Sequence, residues 1–523
     1  MLRKNLLLIS LVLLALTSRL LLLNHFPPSP NWDEVSLGYN AYSLLLTGRD
    51  EWGAAFPVIL RAFGDYKLPG YAYFSVLPTA LLGLNTASVR LTSVLAGTLS
   101  IVLVYLVTQK ILNRTWVSFL AGLLLTASPW SWFLSRIALE ANLANMLFLL
   151  AICLLLFRRR FLSMVFFGLT VWTYNSYRIF TPLFLLANFR LFTRKHILLG
   201  GIFIVPMLIQ LATASGQARY KWMTLVDSGA VSQIISLRSS SRFSSAVTRL
   251  LYNRVTYFGY KFSANYLSHF SPRFLFFSGG SNYQFNIPKT GLIYAFLLPF
   301  YFLEIAAVII TRHPNRKLLL SWLLLAPVAG SLTRDAPHTL RFITILPLPF
   351  ILIAYSWAQY SAFLKNQAFR TGIYIVFALC LIISSVNYFY YQVPKYNREY
   401  SWVWQYGYRE VADYLKIHYQ EFDEILITKK YGEPHEFVLF FWPWSPDKYQ
   451  QDQNLTRYFR SDWYWVDGFD KFRFVDDWNM SDAISRLDPD KKYLLVTSTP
   501  VPATKLSQIK FVDNSPAFYL YEK

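Results

Sequence analysis

Two adjacent carboxylates, Asp33 and Glu34, follow closely on the first long apolar run, in the segment Asn31-Trp32-Asp33-Glu34, and Lys67 lies further along the same stretch before the next run. A third acid, Glu140, opens a later apolar run, with Arg136 one helical turn before it. Charge at the edge of an apolar segment is costly unless it is partnered, so ions in such places are candidates for function. Their types fit one reaction class. A carboxylate takes the proton from an attacking hydroxyl as general base, while Lys and Arg neutralise a departing phosphate. The set therefore suits transfer of a sugar from a lipid phosphate to a hydroxyl, a reaction whose donor needs no nucleotide-binding loop. The chain has no P-loop and no Gly-rich dinucleotide fingerprint, which argues against NTP-driven and nucleotide-sugar chemistry.

The elements that must hold these residues are set by hydropathy. Of the 523 residues 54% are hydrophobic and 15% charged, and apolar runs of about 17–25 residues recur, long enough to cross a bilayer. The spacing predicts spans near 5–24, 87–110, 116–134, 139–157, 161–174, 179–192, 196–213, 291–311, 318–332, 340–361 and 371–391, roughly eleven helices, or about twelve to thirteen if further segments cross. The formal charge of +21 comes without a long Lys/Arg block, which excludes a nucleic-acid partner and points to topology and membrane lipid instead. Arg158-Arg159-Arg160, Arg194-Lys195-His196 and Arg312 to Lys317 fall on the side of Arg3-Lys4. The positive-inside rule then makes the N-terminus cytoplasmic in the cell membrane. The apolar segment Leu68 to Leu84 is assigned to juxtamembrane or re-entrant structure, since a further span there reverses that charge pattern.

This orientation leaves three outward pieces, a first loop over 25–86, a second over 214–290 and a tail over 392–523, beyond a transmembrane domain over 1–391. The first loop is expected to carry an amphipathic helix from Asp33 to Leu46, ended by Thr47-Gly48 and lying in the membrane interface. The second, with Ser clusters and Gly279-Gly280, reads as a partly ordered loop with a mobile middle. In the tail, Ser401 to His418 has helical period, and Glu421 to Lys429, Phe437 to Trp442 and Tyr493 to Val496 read as strands. About 130 residues suffice there for one soluble α/β domain. Glu433-Pro434-His435-Glu436 has no standard metal spacing and reads as a polar turn. The two cysteines, Cys153 and Cys380, both lie in apolar runs and support neither a disulfide framework nor a thiolate metal site.

The landmarks Asp33-Glu34, Lys67-Leu68-Pro69-Gly70-Tyr71, Val89-Arg90-Leu91 and Arg136-Ile137-Ala138-Leu139-Glu140 occur in an order that resembles the GT-C glycosyltransferases. The nearest families are the protein O-mannosyltransferases and the lipid A aminoarabinose transferases. The resemblance spans roughly residues 1–390 and implies a mainly α-helical polytopic membrane fold. It also implies a polyprenyl-phosphate sugar donor, inversion at the sugar carbon, and no cofactor, although more distant relatives use a divalent cation. Asp33 matches the catalytic acid, Glu34 its neighbour, Lys67 the phosphate-proximal lysine, and Glu140 a second acid that is usually Asp there. The chain departs from the pattern at Glu140, at Leu68 between Lys67 and Pro69, and at Val35-Ser36, where no cation follows the acidic pair. The acceptor is a hydroxyl of a protein, a lipid or a glycan.

Arg178, between the fifth and sixth spans, and His338 and Arg341, between the ninth and tenth, are further candidates for the donor phosphate, together with Lys67 and Arg136. The plainer role for these cations is snorkelling to lipid headgroups. For Asp33 it is capping of the helix it begins. Glu34 either orients Asp33 or serves the helix end, and Glu140 suits the dipole of its own helix. A transporter or flippase of lipid-linked glycan is the alternative class, and it calls for charges near mid-span rather than at the outer edge.

Overall fold

The computed structural model describes residues 2–64, 66–310, 315–363 and 365–523, without the side chains of 2–4 and 219–222. Residues 312–314 of the basic loop lie outside that description. The chain forms two compact units that do not follow chain order. The first is Met1–Ala15, Leu99–Trp132 and Ala144–Ser385, and the second is Leu16–Thr98, Phe133–Leu143 and Val386–Lys523.

Among the described residues, helices occupy each apolar stretch expected from the sequence. Thr86–Leu112, Arg194–Leu211 and Gln367–Glu399 are long and apolar enough to cross a membrane, whereas Asn5–Leu20, Thr115–Ala127, Glu140–Leu156 and others are apolar but shorter. The shortening has a local cause at 116–134. Pro129 has no N–H to continue the ladder, so the helix stops at Ala127 and restarts as Pro129–Leu134.

In the first unit the core is aromatic. Phe148 meets Phe180, Phe184, Trp322 and Phe167 at ring separations of 4.9, 5.2, 5.3 and 5.4 Å. Residues 214–290 are helical over Ala214–Met223, Ser228–Ser239, Ser245–Leu251 and Arg254–Ser268, more ordered than the expected loop. Three of these helices carry their own start signals. Thr213, Asp227 and Asn253 each accept from a backbone N–H in the first turn, satisfying donors that a helix end leaves open.

The second unit joins the first outer loop to the tail. Its helices α1 (Trp32–Thr47) and α2 (Gly70–Leu82) pack together, α3 (Thr86–Leu112) begins in it, and α4 (Glu140–Leu156) has its N-terminus there. A short hairpin, β1 (Leu60–Arg61) with β2 (Tyr66–Lys67), carries Lys67. The tail holds a seven-stranded mixed sheet in the order β4-β5-β6-β3-β7-β9-β8. Its strands are β3 (Glu424–Thr428), β4 (Thr456–Arg460), β5 (Trp463–Phe469), β6 (Phe472–Val475), β7 (Tyr493–Thr497), β8 (Thr504–Lys510) and β9 (Pro516–Glu522). Central β3 runs parallel to both β6 and β7, with Ile425 facing Phe472 on one side and Leu494 on the other.

Three sequence expectations are corrected here. Phe437 to Trp442 is not a strand but most of helix α5 (Pro434–Phe441), which Pro434 starts at a position where its missing N–H costs nothing. Buried on every side, the run has no hydrophobic period to tell helix from strand. The polar-turn reading of Glu433 to Glu436 fails with it, since these residues are buried at the start of α5. Helix α1 has the expected limits and ends at Gly48 in the left-handed region, φ 67°. Rather than lying in an interface, however, it is buried from Glu34 to Ala41 and packs on α2 and α5.

The contact between α1 and α5 is close enough to require glycine. A Cβ on Gly38 meets Phe440 and Val89 side-chain carbons at 2.6 Å. Gly38→Ala is therefore expected to destabilise by about 1–3 kcal/mol, the usual cost of overpacking. The measurement is a lowered thermal unfolding midpoint of the full chain in detergent, and an unchanged midpoint contradicts the packing described.

Candidate functional site

Asp33 and Glu34 are neighbours in sequence but face different surroundings, because successive residues of a helix point about 100° apart. The cap of α1 is Asn31, not Asp33. Asn31 Oδ1 accepts from the Glu34 N–H at 3.0 Å, and Glu34 Oε2 accepts from the Asn31 N–H at 3.2 Å, a reciprocal capping box. Glu34 also takes both forks of Arg90. Nε donates to Oε1 at 2.9 Å and Nη2 to Oε2 at 3.1 Å, and the Ala138 N–H adds a bond to Oε1 at 2.8 Å. The rest of the guanidinium is spent on the carbonyls of Leu23, Pro27 and Ser29 at 2.8–3.0 Å. Every donor of Arg90 is thus used and both oxygens of Glu34 accept twice. The pair is buried, with side-chain exposures of 0% and 1%.

Asp33 is oriented differently. Its carboxylate is 28% exposed and forms an ion pair with the Lys67 ammonium, itself 10% exposed. Lys67 arrives from β2, and the next residues lead directly into α2, so the hairpin fixes the cation opposite the first turn of α1. Tyr71, on the first turn of α2, is fully buried and donates to the Val89 carbonyl at 2.8 Å. Burial first, then the negative charge of Glu34 and, less, of Glu140, holds its phenol pKa well above the ordinary value. Glu140, at the first turn of α4, is buried to 9% exposure.

Arg136 lies in the same unit but not in an open position. Fully buried, it donates to the Phe26 carbonyl from Nε and Nη2 at 3.1 and 3.0 Å, and to the Ser18 and Arg19 carbonyls from Nη1 at 3.2 and 2.7 Å. That geometry serves the end of the Leu2–Leu20 helix rather than an incoming phosphate. Glu34 likewise presents no oxygen to a substrate. The acidic and basic residues of the first loop are therefore brought together, and Asp33 and Lys67 are the pair that meets at a partly open position.

Arg178, His338 and Arg341 belong to the first unit. Arg178, on the Asn175–Ala187 helix, donates to the Val171 carbonyl at 3.1 Å and to Gln210 Oε1 at 2.7 Å. Arg341 donates to Thr333 Oγ1 at 2.6 Å and pairs with Asp335 at 3.4 Å, and its N–H donates to His338 Nδ1 at 3.3 Å. The Asn175–Ala187 helix packs against the Arg341–Ile345 turn, so Arg178 and Arg341 lie on adjoining elements, and His338 precedes that turn by three residues. Among the described residues no set of three or more His, Cys, Asp or Glu converges in a way that holds a metal ion.

Arg90 is the residue whose role the sequence left unstated. Its signal was an arginine inside the apolar opening of a predicted span, where an unpartnered guanidinium is not tolerated.

Comparison with known proteins gives a family likeness over part of the chain and a fold likeness over most of it. The model of a family described as dolichyl-phosphate-mannose-protein mannosyltransferase matches residues 67–213. No curated protein sequence matches the chain. Among solved structures, ArnT from Cupriavidus metallidurans, bound to undecaprenyl phosphate, is similar in fold at 13% identity and TM-score 0.55, over 98% of this chain and 97% of that one. The Archaeoglobus fulgidus oligosaccharyltransferase tethered to an acceptor peptide is similar at 12% identity and TM-score 0.50, over 84% of this chain and 63% of that one. The resemblance to GT-C glycosyltransferases is thus found in the fold over nearly the whole chain and in the family model over part of it.

Removing one member of the Glu34–Arg90 pair strands a buried charge, at a cost of about 3–5 kcal/mol. Glu34→Gln and Arg90→Met are each expected to lower the unfolding midpoint markedly. The double variant is expected to recover part of the loss, which a double-mutant cycle in detergent reads directly; additive losses contradict the pairing.

Proposed function

We propose that the protein is an integral-membrane glycosyltransferase that moves a sugar from a polyprenyl-phosphate donor to an acceptor hydroxyl on the outer face of the cytoplasmic membrane. The observation that carries this reading is the contact of Asp33 with Lys67. A base and a phosphate-neutralising cation stand side by side at a partly open position, on a scaffold otherwise buried. The fold likeness to an enzyme crystallised with undecaprenyl phosphate supports the donor class. The family model supports transfer of a sugar from a lipid phosphate.

In this reading Asp33 takes the proton of the acceptor hydroxyl as its oxygen forms the new bond to the sugar carbon. The bond from that carbon to the donor phosphate breaks in the same displacement, with inversion, and Lys67 stabilises the departing phosphate. Glu34 takes no part in the bond changes, since its oxygens are engaged with Arg90, Asn31 and Ala138. Glu140 supplies negative charge near Tyr71 and is proposed to assist the acceptor side. Arg178, His338 and Arg341 are proposed as further ligands of the donor phosphate, and Arg136 is left out of that set. Proteins, lipids and glycans all offer the hydroxyl that this chemistry needs.

The test uses purified protein, a panel of labelled polyprenyl-phosphate sugars and membrane extract, with label followed into protein, lipid and glycan pools. Asp33→Asn is expected to cut transfer by ~10²–10⁴-fold, the range for a general base, with donor binding and unfolding midpoint retained. Full activity in that variant, or no donor consumed by the wild type, overturns the assignment. Lys67→Gln is expected to lower transfer by ~10²–10³-fold, as for loss of one stabilising contact in the transition state, with Lys67→Arg partly active. Equal activity in all three proteins removes Lys67 from the site.

A further inference from the structure

A second group of carboxyls lies behind α1, away from the Asp33–Lys67 contact and unused by it. Glu51, Glu433 and Glu436 are 3%, 4% and 0% exposed, and His435 among them is 3% exposed. Their contacts are unequal. Glu51 Oε2 accepts from Asn40 Nδ2 at 3.0 Å while its N–H donates to Asn40 Oδ1 at 3.1 Å, which ties it to the third turn of α1. Glu433 Oε1 accepts from Trp463 Nε1 at 2.6 Å. Neither oxygen of Glu436 makes a hydrogen bond of ordinary geometry, nor does His435 Nδ1. The imidazole stands 3.6 Å from Glu433 and 3.8 Å from Glu436, near both and bonded to neither. Glu436, on α5, faces the Glu51 carboxyl and the Ser36 hydroxyl of α1.

The neighbouring charges do not balance three carboxylates. Arg457 faces Glu51, but its guanidinium lies over the rings of Trp52 and Tyr449 at 4.2 and 4.8 Å and donates to the Glu51 carbonyl at 3.0 Å. Lys429 faces Glu433 but is ion-paired with Asp467. Asp50 adds another acid beside Glu51, and the Tyr39 and Tyr449 phenols face Glu51 and Glu436. Burial, then repulsion from Glu51 and Glu433, holds the Glu436 carboxyl well above the usual carboxylate range. Burial raises Glu51 in the same way and raises Glu433 to about 7. Burial, with the fields of Arg457 and Lys429, holds the His435 imidazole neutral.

We propose that Glu51 and Glu436 share a proton across the contact between α1 and α5, and that this protonated pair positions the helix that carries Asp33. Glu436 is a positioning residue, acting through Ser36, which follows Asp33 by three residues and so lies one helical turn away. The link is stiff. Gly38 seats α1 on Phe440 of α5, and Trp32, next to Asp33, lies so close to Gly432 that a Cβ there would meet its ring at 2.1 Å. Loss of the shared proton leaves two anions in contact without water, and the relief open to them is separation of α5 from α1. The activity readout rests on the glycosyl transfer proposed above, whereas the stability readout does not.

The sign follows from linkage. Carboxyls with raised values in the fold hold their protons more tightly there than in the unfolded chain, where Glu titrates near ~4.3. Their stabilisation is complete below that pH and is lost as pH rises through the folded values. His435 acts oppositely, with stability lost as pH falls below the imidazole's unfolded value of ~6.5, but it is present in every protein compared and cancels in their difference.

The experiment compares wild type with Glu436→Gln, which keeps the shape and cannot ionise, and with Glu51→Gln, which tests the pair from its other side. Unfolding midpoints of the full chain in detergent are measured from pH 5 to pH 9, with kcat and donor KM over the same range. The expected result is a wild-type midpoint that falls as pH rises past neutrality. At least one Gln variant is expected to match or trail it at pH 5 and exceed it by several degrees at pH 9. That variant's alkaline limb of kcat is expected to move to higher pH, giving several-fold more activity there with donor KM unchanged. A midpoint difference that does not vary with pH in either variant, or failure of both variants to fold, overturns the shared proton. Absence of transfer by the wild type at every pH overturns the glycosyl transfer reading and leaves the midpoints to decide this one.

Discussion

The bidentate contact between Glu34 and Arg90 is the constraint on which the second unit depends. A buried pair of this kind offsets its desolvation only if every remaining lone pair and N–H is also met. Here the requirement is filled from several separate parts of the chain: the Asn31 cap, the Ala138 backbone, and the carbonyls of Leu23, Pro27 and Ser29. Satisfying one ion pair thereby fixes the entry to α1, the start of α3 and the approach to α4. Arg136 repeats the device on a smaller scale, holding the end of the Leu2–Leu20 helix through its carbonyls.

Asp33 gains its character from standing next to such a residue. With Glu34 immobilised, the first turn of α1 has little freedom, and Asp33 is aimed by backbone geometry rather than by bonds of its own to the scaffold. Its charged partner Lys67 comes from a two-strand hairpin that sets the ammonium opposite the carboxylate. A rigid frame behind and a modestly exposed pair in front is the arrangement that preorganised charge stabilisation requires. The tail belongs to the same frame. α5 lies along α1 and supplies Phe440 and Glu436 to its buried face, so the soluble-looking portion of the chain is part of what holds the acid in place.

Sequence patterns gave the helical stretches, the limits of α1, and strands β3 and β7, because each carries a period, a cap or a glycine stop that is local. Where the local signal was absent the reading went astray. Phe437 to Trp442 is apolar on all sides and carries no period, so a helix passed for a strand. Residues 214–290 read as a partly ordered loop from their Ser clusters and Gly279-Gly280, whereas Thr213, Asp227 and Asn253 are helix caps. The span expected at 116–134 is divided by Pro129, a stop visible in the sequence but outweighed by hydropathy.

Within the candidate site, the sequence by itself determined which groups are present: an acidic pair, a lysine in the same loop, and arginines at helix edges where an unpartnered charge is costly. Composition and spacing suffice for that, since the cost of burying charge is a property of residue type. Only the tertiary structure decided the use of each. Asp33 and Lys67 meet at a partly open position, Glu34 is consumed by Arg90, Arg136 by carbonyls, and Glu51 and Glu436 converge from segments nearly four hundred residues apart in sequence. The physical reason is that a carboxylate's role is set by what fills its four lone-pair sites. Those partners come from distant segments, which no local pattern encodes.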